Sequence, residues 1–320
     1  MPPYPLSDLK PGLPVGDFHI VEVYPEGRGG MARVVRAVRR GEGGDEVALK
    51  ISRTGANQIY FFAAIQKEVE VLQKLNHRGV VRIEPVSRGK NAYKERAVSI
   101  VDSPWFFGME VLRGGSLEAY SRSMGRLSLG EAAVICHQLA RALLHVHERG
   151  FSHNDVKPDN VLFRRPLTLG ERIEPVLIDF GVAAKLVKQQ ADGSIVYMAP
   201  ERLSETQAPS APETLADPAK ADVWSMGILL YRMLVGREPF LGVTDRSITS
   251  AIQRAVPVPI RNECREIPPE VDEFVIEGCL AKDPRVRVNM MQFYRFVDRY
   301  SGDWRVRRAP KPKSRLPWKR

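Results

Sequence analysis

The sequence predicts an α+β fold in two lobes, a small β-rich lobe followed by a larger, mainly helical one. Short apolar strand patterns separated by glycine clusters occupy most of residues 18–112. One helical pattern interrupts them near residue 65. From residue 128 onward, longer apolar patterns with helical spacing dominate. The 320 residues, 43% hydrophobic and 27% charged, suffice for the full core of a globular protein.

The first strand patterns enclose a glycine-rich turn. A strand pattern at residues 18–24 is broken by a cluster at residues 27–32 that includes Gly27 and Gly29, and it resumes at residues 34–38. Because glycine has no Cβ, such a hairpin lets backbone N–H groups approach phosphate oxygens closely. A short glycine pattern alone is more often only a turn, and a dinucleotide-binding unit would need a helix directly after it, which this sequence does not show.

A lysine within an apolar strand pattern predicts a pocket with a cation at its edge. Lys50 lies in the pattern at residues 47–51, and alternation places it on the same face as Ala48. In the helical pattern that follows, Glu68 lies on nearly the same face as the apolar Leu72. An exposed lysine and a surface ion pair are the simpler alternatives. A pairing of Lys50 with Glu68 would explain both inward charges.

A polar loop at residues 151–160 carries the clearest chemical pattern. It follows a long helical pattern and precedes the strand-like residues 161–163, and catalytic groups commonly lie on loops held in this way. Asp155 is followed by Lys157 two residues later and by Asn160 five residues later. A polar surface turn containing Asn, Asp and Pro would also fit this stretch taken alone.

The helical part has its own markers. Ser128 and Glu131 have capping-box spacing and predict the start of the helix before the polar loop. Asp179 follows a buried strand pattern at residues 176–178, a natural position for a metal ligand. The stretch from residue 222 to residue 230 is apolar nearly all round and predicts a buried helix. Further helical patterns follow at residues 245–255, 270–281 and 289–299.

Charge, cysteine content and hydropathy limit the function classes. The formal net charge is +10, and eight Lys or Arg against one Asp give +7 in residues 301–320 alone. This predicts a solvated, disordered tail, with contact to an anionic membrane surface or nucleic acid as the sharper alternative. Three scattered cysteines predict neither disulfides nor a zinc knuckle. Without a long apolar run or an apolar signal region, we expect a cytoplasmic protein.

Taken together, these motifs resemble those of the protein kinase family in their order and context. The resemblance covers residues 18–300. It is closest to the bacterial eukaryotic-type Ser/Thr kinases, because residues 29–32 are similar to the glycine loops of those proteins. It implies the bilobal protein-kinase fold. The implied organisation is a Pro-rich lead-in at residues 1–16, the N-lobe at 17–112, the C-lobe at 113–300 and a basic tail at 301–320.

The resemblance implies ATP and Mg²⁺ as cofactors, with Mn²⁺ as an alternative ion, and a protein substrate with a Ser or Thr acceptor. Asp155 would deprotonate the acceptor hydroxyl, Lys157 would neutralise charge on the γ-phosphoryl group, and Lys50 would pair with Glu68 and the α/β-phosphates. The implied metal ligands are Asn160 and Asp179. The implied nucleotide-binding residues are Gly27, Gly29, Val34, Ala48, Lys50, Met109, Glu110, Leu112 and Leu162. The resemblance also implies a spine of Leu72, His153 and Phe180 and a pairing of Arg287 with Glu201.

The expected function is therefore ATP- and Mg²⁺-dependent transfer of a γ-phosphoryl group to Ser or Thr hydroxyls of proteins. Asn154 stands where most members of the family have Arg, and residues 182–193 contain no Ser, Thr or Tyr. The sequence thus predicts activity without phosphorylation of this activation segment. Ser194 replaces the usual Thr that braces the catalytic loop, and the Pro-rich stretch at residues 202–220 is longer than usual.

Two other functions are compatible with the same fold. A pseudokinase scaffold would bind nucleotide without turnover, but the polar catalytic positions are all present. A small-molecule phosphotransferase of kinase-like fold would also show an H-x-D-x-x-x-x-N loop. The stretch Ala199-Pro200-Glu201 and Arg287 resemble the protein-substrate machinery of the family and argue against this second alternative.

Overall fold

The first lobe is an antiparallel β-sheet with one helix, as the strand patterns predict. The computed structural model describes residues 2–25, 32–41, 44–87, 92–181, 195–205, 217–302 and 305–306. Within these residues the sheet has seven strands: β1 (Pro14–Val15), β2 (Phe18–Val23), β3 (Ala32–Arg39), β4 (Glu46–Ser52), β5 (Ile83–Glu84), β6 (Lys94–Arg96) and β7 (Trp105–Met109). Their order in the sheet is β1-β2-β3-β4-β7-β5, and β6 also pairs with β7.

Strand alternation in β4 divides the lobe into two apolar cores. Leu49 and Ile51 lie in a core on the outer face of the sheet. Ala48 lies in the large core that continues into the second lobe. Lys50 shares the face of Ala48, as the sequence predicts, because successive side chains in a strand point to opposite faces. In the ladder, Ala48 pairs with Met109, which ends β7.

The N-terminal segment covers the outer face of this sheet. Tyr4, Leu9, Leu13 and Val15 are all buried in the outer core. The Tyr4 backbone N–H donates to the Ser99 carbonyl at 3.0 Å, and its hydroxyl donates to the Pro14 carbonyl at 2.7 Å. Residues 4–15 therefore pack as part of the first lobe. The boundary predicted at residue 16 stays a prediction.

The second lobe is mainly helical. A hairpin of β8 (Val161–Phe163) and β9 (Pro175–Leu177) follows the polar loop. Near the end of the lobe, a helix at Pro269–Glu273 continues into a π-helical stretch at Phe274–Cys279. The helices among the described residues are α1 (Gln58–Leu72, in the first lobe), α2 (Leu117–Met124), α3 (Leu129–Glu148), α4 (Pro200–Glu205), α5 (Pro218–Val235), α6 (Asp245–Arg254), α7 (Ile260–Glu263), α8 (Pro269–Glu273) and α9 (Met290–Asp298).

Helix ends and burial follow the sequence signals. The capping box predicted from Ser128 and Glu131 opens α3, with each side chain bonded to the other's backbone N–H. Helix α5 begins after Asp217, whose side chain accepts from the Ala219 N–H, and it is buried along nearly its whole length. It ends at Gly236, whose φ of 87° is a left-handed conformation that glycine adopts without steric cost. Helix α5 is thus the central support of the second lobe.

Strand β7 is shorter than its sequence pattern predicts. The pattern runs from residue 105 to residue 112, but β7 ends at Met109. The next residue, Glu110, donates its N–H to the Arg82 carbonyl at 2.9 Å, so the chain leaves the ladder with β4 at this point. Residues 110–112 therefore form the connector between the lobes. The apolar Val111 and Leu112 are partly buried against the large core rather than paired in the strand.

The C-terminal segment begins by packing on the second lobe. The Val306 N–H donates to the Glu171 carbonyl at 2.8 Å, and the Val306 carbonyl accepts from the Gly170 N–H at 3.0 Å. Val306 and Ser301 are buried. Residues 303–304 and 307–320 lie outside the described residues, so the predicted disorder of the tail and its contact with an anionic surface stay predictions.

The described helices include none with the length and apolarity needed to cross a bilayer. The cytoplasmic location stays a prediction.

Candidate active site

Lys50 is the centre of a charge cluster that joins three elements. Its Nζ lies 2.9 Å and 2.7 Å from the two carboxylate oxygens of Glu68 on α1, and 2.9 Å from Oδ1 of Asp179. The side chains of Lys50 and Glu68 are only 11% and 2% exposed. The predicted pairing of Lys50 with Glu68 is therefore present. It places α1 against the sheet and brings the carboxylate after β9 to the same ammonium group.

Burial and charge oppose each other in this cluster. Burial alone would lower the pKa of Lys50, but the carboxylates of Asp179 and Glu68 outweigh it and raise that pKa. Burial raises the pKa of Glu68, although Lys50 acts against it. Burial would also raise the pKa of Asp179, yet the Lys50 ammonium holds it below its ordinary value. The lysine is thus a cation, and Asp179 an anion, at neutral pH.

The segment around Asp179 is held in a strained backbone conformation. Asp179 has a φ of 64°, which non-glycine residues rarely adopt and which clusters at functional sites. A Cβ on Gly181 would lie 3.3 Å from both Asp179 Oδ1 and Glu68 Oε2, a tight contact that glycine avoids. Phe180 is fully buried, and its ring lies 4.6 Å from that of His153.

The polar loop brings Asp155, Lys157 and Asn160 together. Asp155 Oδ2 accepts from Lys157 Nζ at 2.8 Å and from Asn160 Nδ2 at 2.7 Å. Asn160 lies in a short 3₁₀ turn, Pro158–Asn160, and its Nδ2 also donates to the Asp155 carbonyl at 2.9 Å. Burial raises the pKa of Asp155, while Lys157 acts to lower it. A buried carboxylate with a raised pKa beside a cation is suited to accept a proton.

A buried carboxylate on α5 fixes the start of this loop. Asp222 accepts from the backbone N–H of His153 at 2.9 Å, from that of Asn154 at 2.7 Å, and from His147 Nε2 at 2.8 Å. Burial would raise the pKa of Asp222, but the hydrogen bond from His147 leads the contributions that lower it. His153 Nε2 donates to the Ile178 carbonyl at 3.0 Å, which ties the loop to the strand before Asp179.

Two oxygen-bearing side chains fit a divalent cation here. Because Asn160 uses its Nδ2 on Asp155, its Oδ1 is the atom left for a metal. Asp179 is an ionised carboxylate whose side chain is 32% exposed. Mg²⁺ is usually held by one or two carboxylates together with substrate phosphates. Among the described residues no set of three or more His, Cys, Asp or Glu side chains is placed to hold a metal ion by itself. Substrate phosphates would therefore have to complete the coordination.

The residues predicted to surround the adenine lie where the sheet meets the connector. Met109 and Ala48 are buried opposite each other in the ladder, and Val34 is partly buried against the same core. Leu162, in the middle of β8, is also partly buried. The backbone carbonyl of Glu110 and the backbone N–H of Leu112 have no backbone partner among the described residues, and their predicted bonds to the adenine stay a prediction. Gly27 and Gly29 lie outside the described residues, so their predicted role stays a prediction.

Sequence reasoning missed two contacts around this site. The Arg164 guanidinium pairs with the Glu110 side chain and also donates to the Arg78 carbonyl at 2.8 Å, which braces the connector. Arg202 Nη1 donates to Asn154 Oδ1 at 2.6 Å. Both contacts join residues about fifty positions apart in the chain, so no local pattern could reveal them. The predicted pairing of Arg287 with Glu201, in contrast, is present at 2.7 Å.

Comparison with known proteins identifies the family of this chain. The family description "Protein kinase domain" matches residues 23–296. The chain is 30% identical over 253 residues to the serine/threonine-protein kinase RAD53 of Saccharomyces cerevisiae, covering 74% of this chain and 28% of that protein. It is 28% identical over 287 residues to the serine/threonine-protein kinase ULK3 of Homo sapiens, covering 84% of this chain and 52% of that protein. It is 30% identical over 288 residues to the serine/threonine-protein kinase PkaA of Streptomyces coelicolor, covering 85% of this chain and 48% of that protein.

These relatives are all named as serine/threonine-protein kinases, and they include the bacterial PkaA. The predicted resemblance to bacterial kinases of this type is therefore confirmed. The chain spans about half the length of these relatives, or less. Because the family match extends over most of both lobes, the chain belongs to the protein kinase family.

Proposed function

We infer that this protein transfers the γ-phosphoryl group of ATP to Ser or Thr hydroxyls of protein substrates. The observation that carries this proposal is the contact of Lys50 with both Glu68 and Asp179 at 2.7–2.9 Å. It supports an arrangement in which the cation for the phosphates and a metal ligand are already in place. Phosphoryl transfer depends mainly on such positioning and on electrostatic stabilisation.

The residues of the loop have complementary tasks in this reaction. The acceptor oxygen forms a bond to the γ-phosphorus while the bond from that phosphorus to the β–γ bridging oxygen breaks, and ADP leaves. The hydroxyl proton passes to Asp155, whose Oδ2 is held by Lys157 and Asn160. The Lys157 ammonium lies at the same carboxylate and can neutralise charge on the transferred group. Asp179 and Asn160 would hold Mg²⁺, which would neutralise phosphate charge.

We further infer that the catalytic loop is ordered without a phosphate on the activation segment. In family members with Arg before the catalytic Asp, a phosphate on the segment neutralises that cation and orders the loop. Here the position is Asn154, which is neutral, and its side chain accepts a hydrogen bond from Arg202 instead. Residues 182–194 lie outside the described residues, so the proposal rests on their sequence and on the contacts of Asn154.

The experiment for the first proposal is transfer of labelled γ-phosphate to a generic basic protein, followed by phosphoamino acid analysis. We expect phosphoserine or phosphothreonine, a signal abolished by a metal chelator, and its restoration by Mg²⁺ or Mn²⁺. A Lys50→Ala variant should lose about 10³-fold or more in rate, because the cation at the phosphates is removed. No transfer by the wild-type protein, with nucleotide binding retained, would instead identify a pseudokinase.

The experiment for the second proposal compares two preparations of the wild-type protein at saturating Mg-ATP. One preparation carries no phosphate by intact mass, and the other is autophosphorylated. We expect initial rates within a few-fold of each other. A deficit of tenfold or more in the phosphate-free protein, about 1.4 kcal/mol in the barrier, would show that a phosphate is required.

A further inference from the structure

Asn154 and Arg202 form a hydrogen bond between the catalytic loop and the helix that follows the activation segment. Arg202 Nη1 lies 2.6 Å from Asn154 Oδ1, and both residues are partly buried. Hydrogen bonds from a guanidinium are charge-assisted and are stronger than bonds between neutral groups. Arg202 has no carboxylate partner within the part of the chain that the structure describes. Among the described residues, the amide oxygen of Asn154 is thus an acceptor for this cation.

Both ends of the bond lie on elements that are fixed independently. The Asn154 backbone N–H donates to Asp222 on the buried helix α5 at 2.7 Å. Helix α4 is fixed one residue before Arg202, because Glu201 pairs with the fully buried Arg287 at 2.7 Å. Because the loop and α4 are each anchored by other contacts, neither element can move along with the other. A hydrogen bond between them therefore fixes the distance between the loop and the helix. Asp155, the next residue after Asn154, therefore lies directly beside this link.

The backbone conformation of Asn154 suits an amide side chain. Its φ of 64° lies in the left-handed region, which Asn tolerates better than most side chains. In this conformation the backbone N–H of Asn154 contacts Asp222, while its side chain contacts Arg202. The residue therefore has two separate anchoring contacts. A glycine here would keep the backbone contact and lose the side-chain contact, which makes the two separable by experiment.

We propose that Arg202 is a positioning residue of the phosphoryl-transfer reaction, which acts through Asn154 on the placement of Asp155. The cation lies on α4 and the neutral acceptor on the loop, so the link forms without a phosphate. This inference rests on the proposed kinase activity and names a residue that the sequence motifs do not include. Arg202 touches neither nucleotide nor acceptor in this account, so its effect is on the rate of transfer rather than on nucleotide binding.

The test is a double-variant cycle with a matched control. The variants are Arg202→Met, Asn154→Gly and the combination of the two, with Arg202→Lys as the conservative change. Arg285→Gln serves as the control, because Arg285 is 86% exposed and pairs with Asp283 in its own turn. Initial rates give kcat and the KM for ATP, and hydrogen exchange of the peptide covering residues 151–160 reports on the loop without requiring activity.

We expect Arg202→Met and Asn154→Gly each to lower kcat about tenfold with the KM for ATP unchanged. The combined variant should lose no more than either single variant, because both remove the same bond. Arg202→Lys should recover most of the rate, and loop exchange should accelerate in every variant without the bond. Additive losses, or a normal kcat for Arg202→Met with unchanged exchange, would overturn the proposal.

Failure of the kinase proposal can be distinguished from failure of this inference. If the wild-type protein transfers no phosphate, the activity proposal is wrong, while the exchange measurement still reports whether Arg202 orders the loop. If the wild-type protein is active and Arg202→Met matches it in both kcat and exchange, the activity stands and the positioning role is wrong.

Discussion

Arg287 and Glu201 form a two-pronged ion pair, with Nη1 at 2.7 Å from Oε1 and Nη2 at 3.0 Å from Oε2. The Arg287 side chain is fully buried, and its Nη1 also donates to the Lys220 carbonyl at 2.8 Å. The pair therefore ties α4 to the first turn of α5. Loss of the carboxylate would leave a buried cation without a counter-charge, which costs more free energy than loss of a surface pair.

Glu201→Ala should lower the free energy of unfolding by about 3–5 kcal/mol, because it leaves the buried guanidinium unpaired. Adding Arg287→Met should recover part of that loss. As a control, Arg122→Ala removes a 68% exposed partner of Glu118 and should cost no more than about 0.5 kcal/mol. Denaturant unfolding measures all four proteins. A loss below 1 kcal/mol for Glu201→Ala would contradict the structural role of the pair.

Arg164 braces the connector through Glu110, so its removal should affect nucleotide binding more than catalysis. We expect Arg164→Met to raise the KM for ATP by about three- to tenfold, the scale of one lost charge-assisted contact, while kcat changes less than twofold. The exposed neighbour Arg165 offers the control Arg165→Met, which should leave both constants unchanged. A large fall in kcat with an unchanged KM for ATP would be inconsistent with this role.

The pH profile should report the environment of Asp155. Burial raises its pKa and Lys157 opposes that rise, so the base is lost by protonation above the ordinary range of an aspartate. The acid limb of kcat/KM for the acceptor protein should therefore fall as pH decreases, at a pH above Asp's usual value of about 3.9. Lys157→Met should move this limb to higher pH, because the lowering influence is gone. Lys157→Arg should leave it near the wild-type position. A limb that moves to lower pH in Lys157→Met would refute the assignment.

The N-terminal segment should contribute to stability as part of the first lobe. Leu13 is buried on the outer face of the sheet, and Leu13→Ala should cost about 2–5 kcal/mol of unfolding free energy. Val98 is 69% exposed, so Val98→Ala should stay within about 0.5 kcal/mol of the wild type. Thermal and denaturant unfolding check both variants. Equal stability of the two would mean that the segment does not pack as described.

The sequence predicts the elements of the site because each has a strong local signal. Lys50 stands out as a charge in an apolar strand, and Glu68 as an inward carboxylate on a helix. The loop from Asp155 to Asn160 has the residue spacing of the protein-kinase catalytic loop. Their meeting within hydrogen-bond distance agrees with these signals. Helix α5 was also predictable, since a stretch that is apolar all round must be buried.

The features that escaped prediction depend on tertiary contacts. Proline-rich composition at the N-terminus predicts a lead-in but not its contacts, and local sequence cannot reveal that Leu9 and Leu13 are buried against a sheet face. From the sequence, Asn154 is recognised only as a neutral residue where most family members have a charged Arg. The structure shows in addition that the Arg202 guanidinium donates a hydrogen bond to its side chain. Contacts between distant residues override local composition in both cases.

The most direct test of the account is single-turnover transfer by Asp155→Asn beside the wild-type protein, with the Kd for Mg-ATP measured in parallel. Asn keeps the size of the side chain but cannot accept the hydroxyl proton. Glu148→Gln, at the exposed end of α3, is the control for loss of a surface carboxylate. The account predicts a transfer rate about 10³-fold lower for Asp155→Asn, with the Kd within about threefold of wild type and a normal rate for the control. A transfer rate for Asp155→Asn within tenfold of the wild-type rate would contradict it.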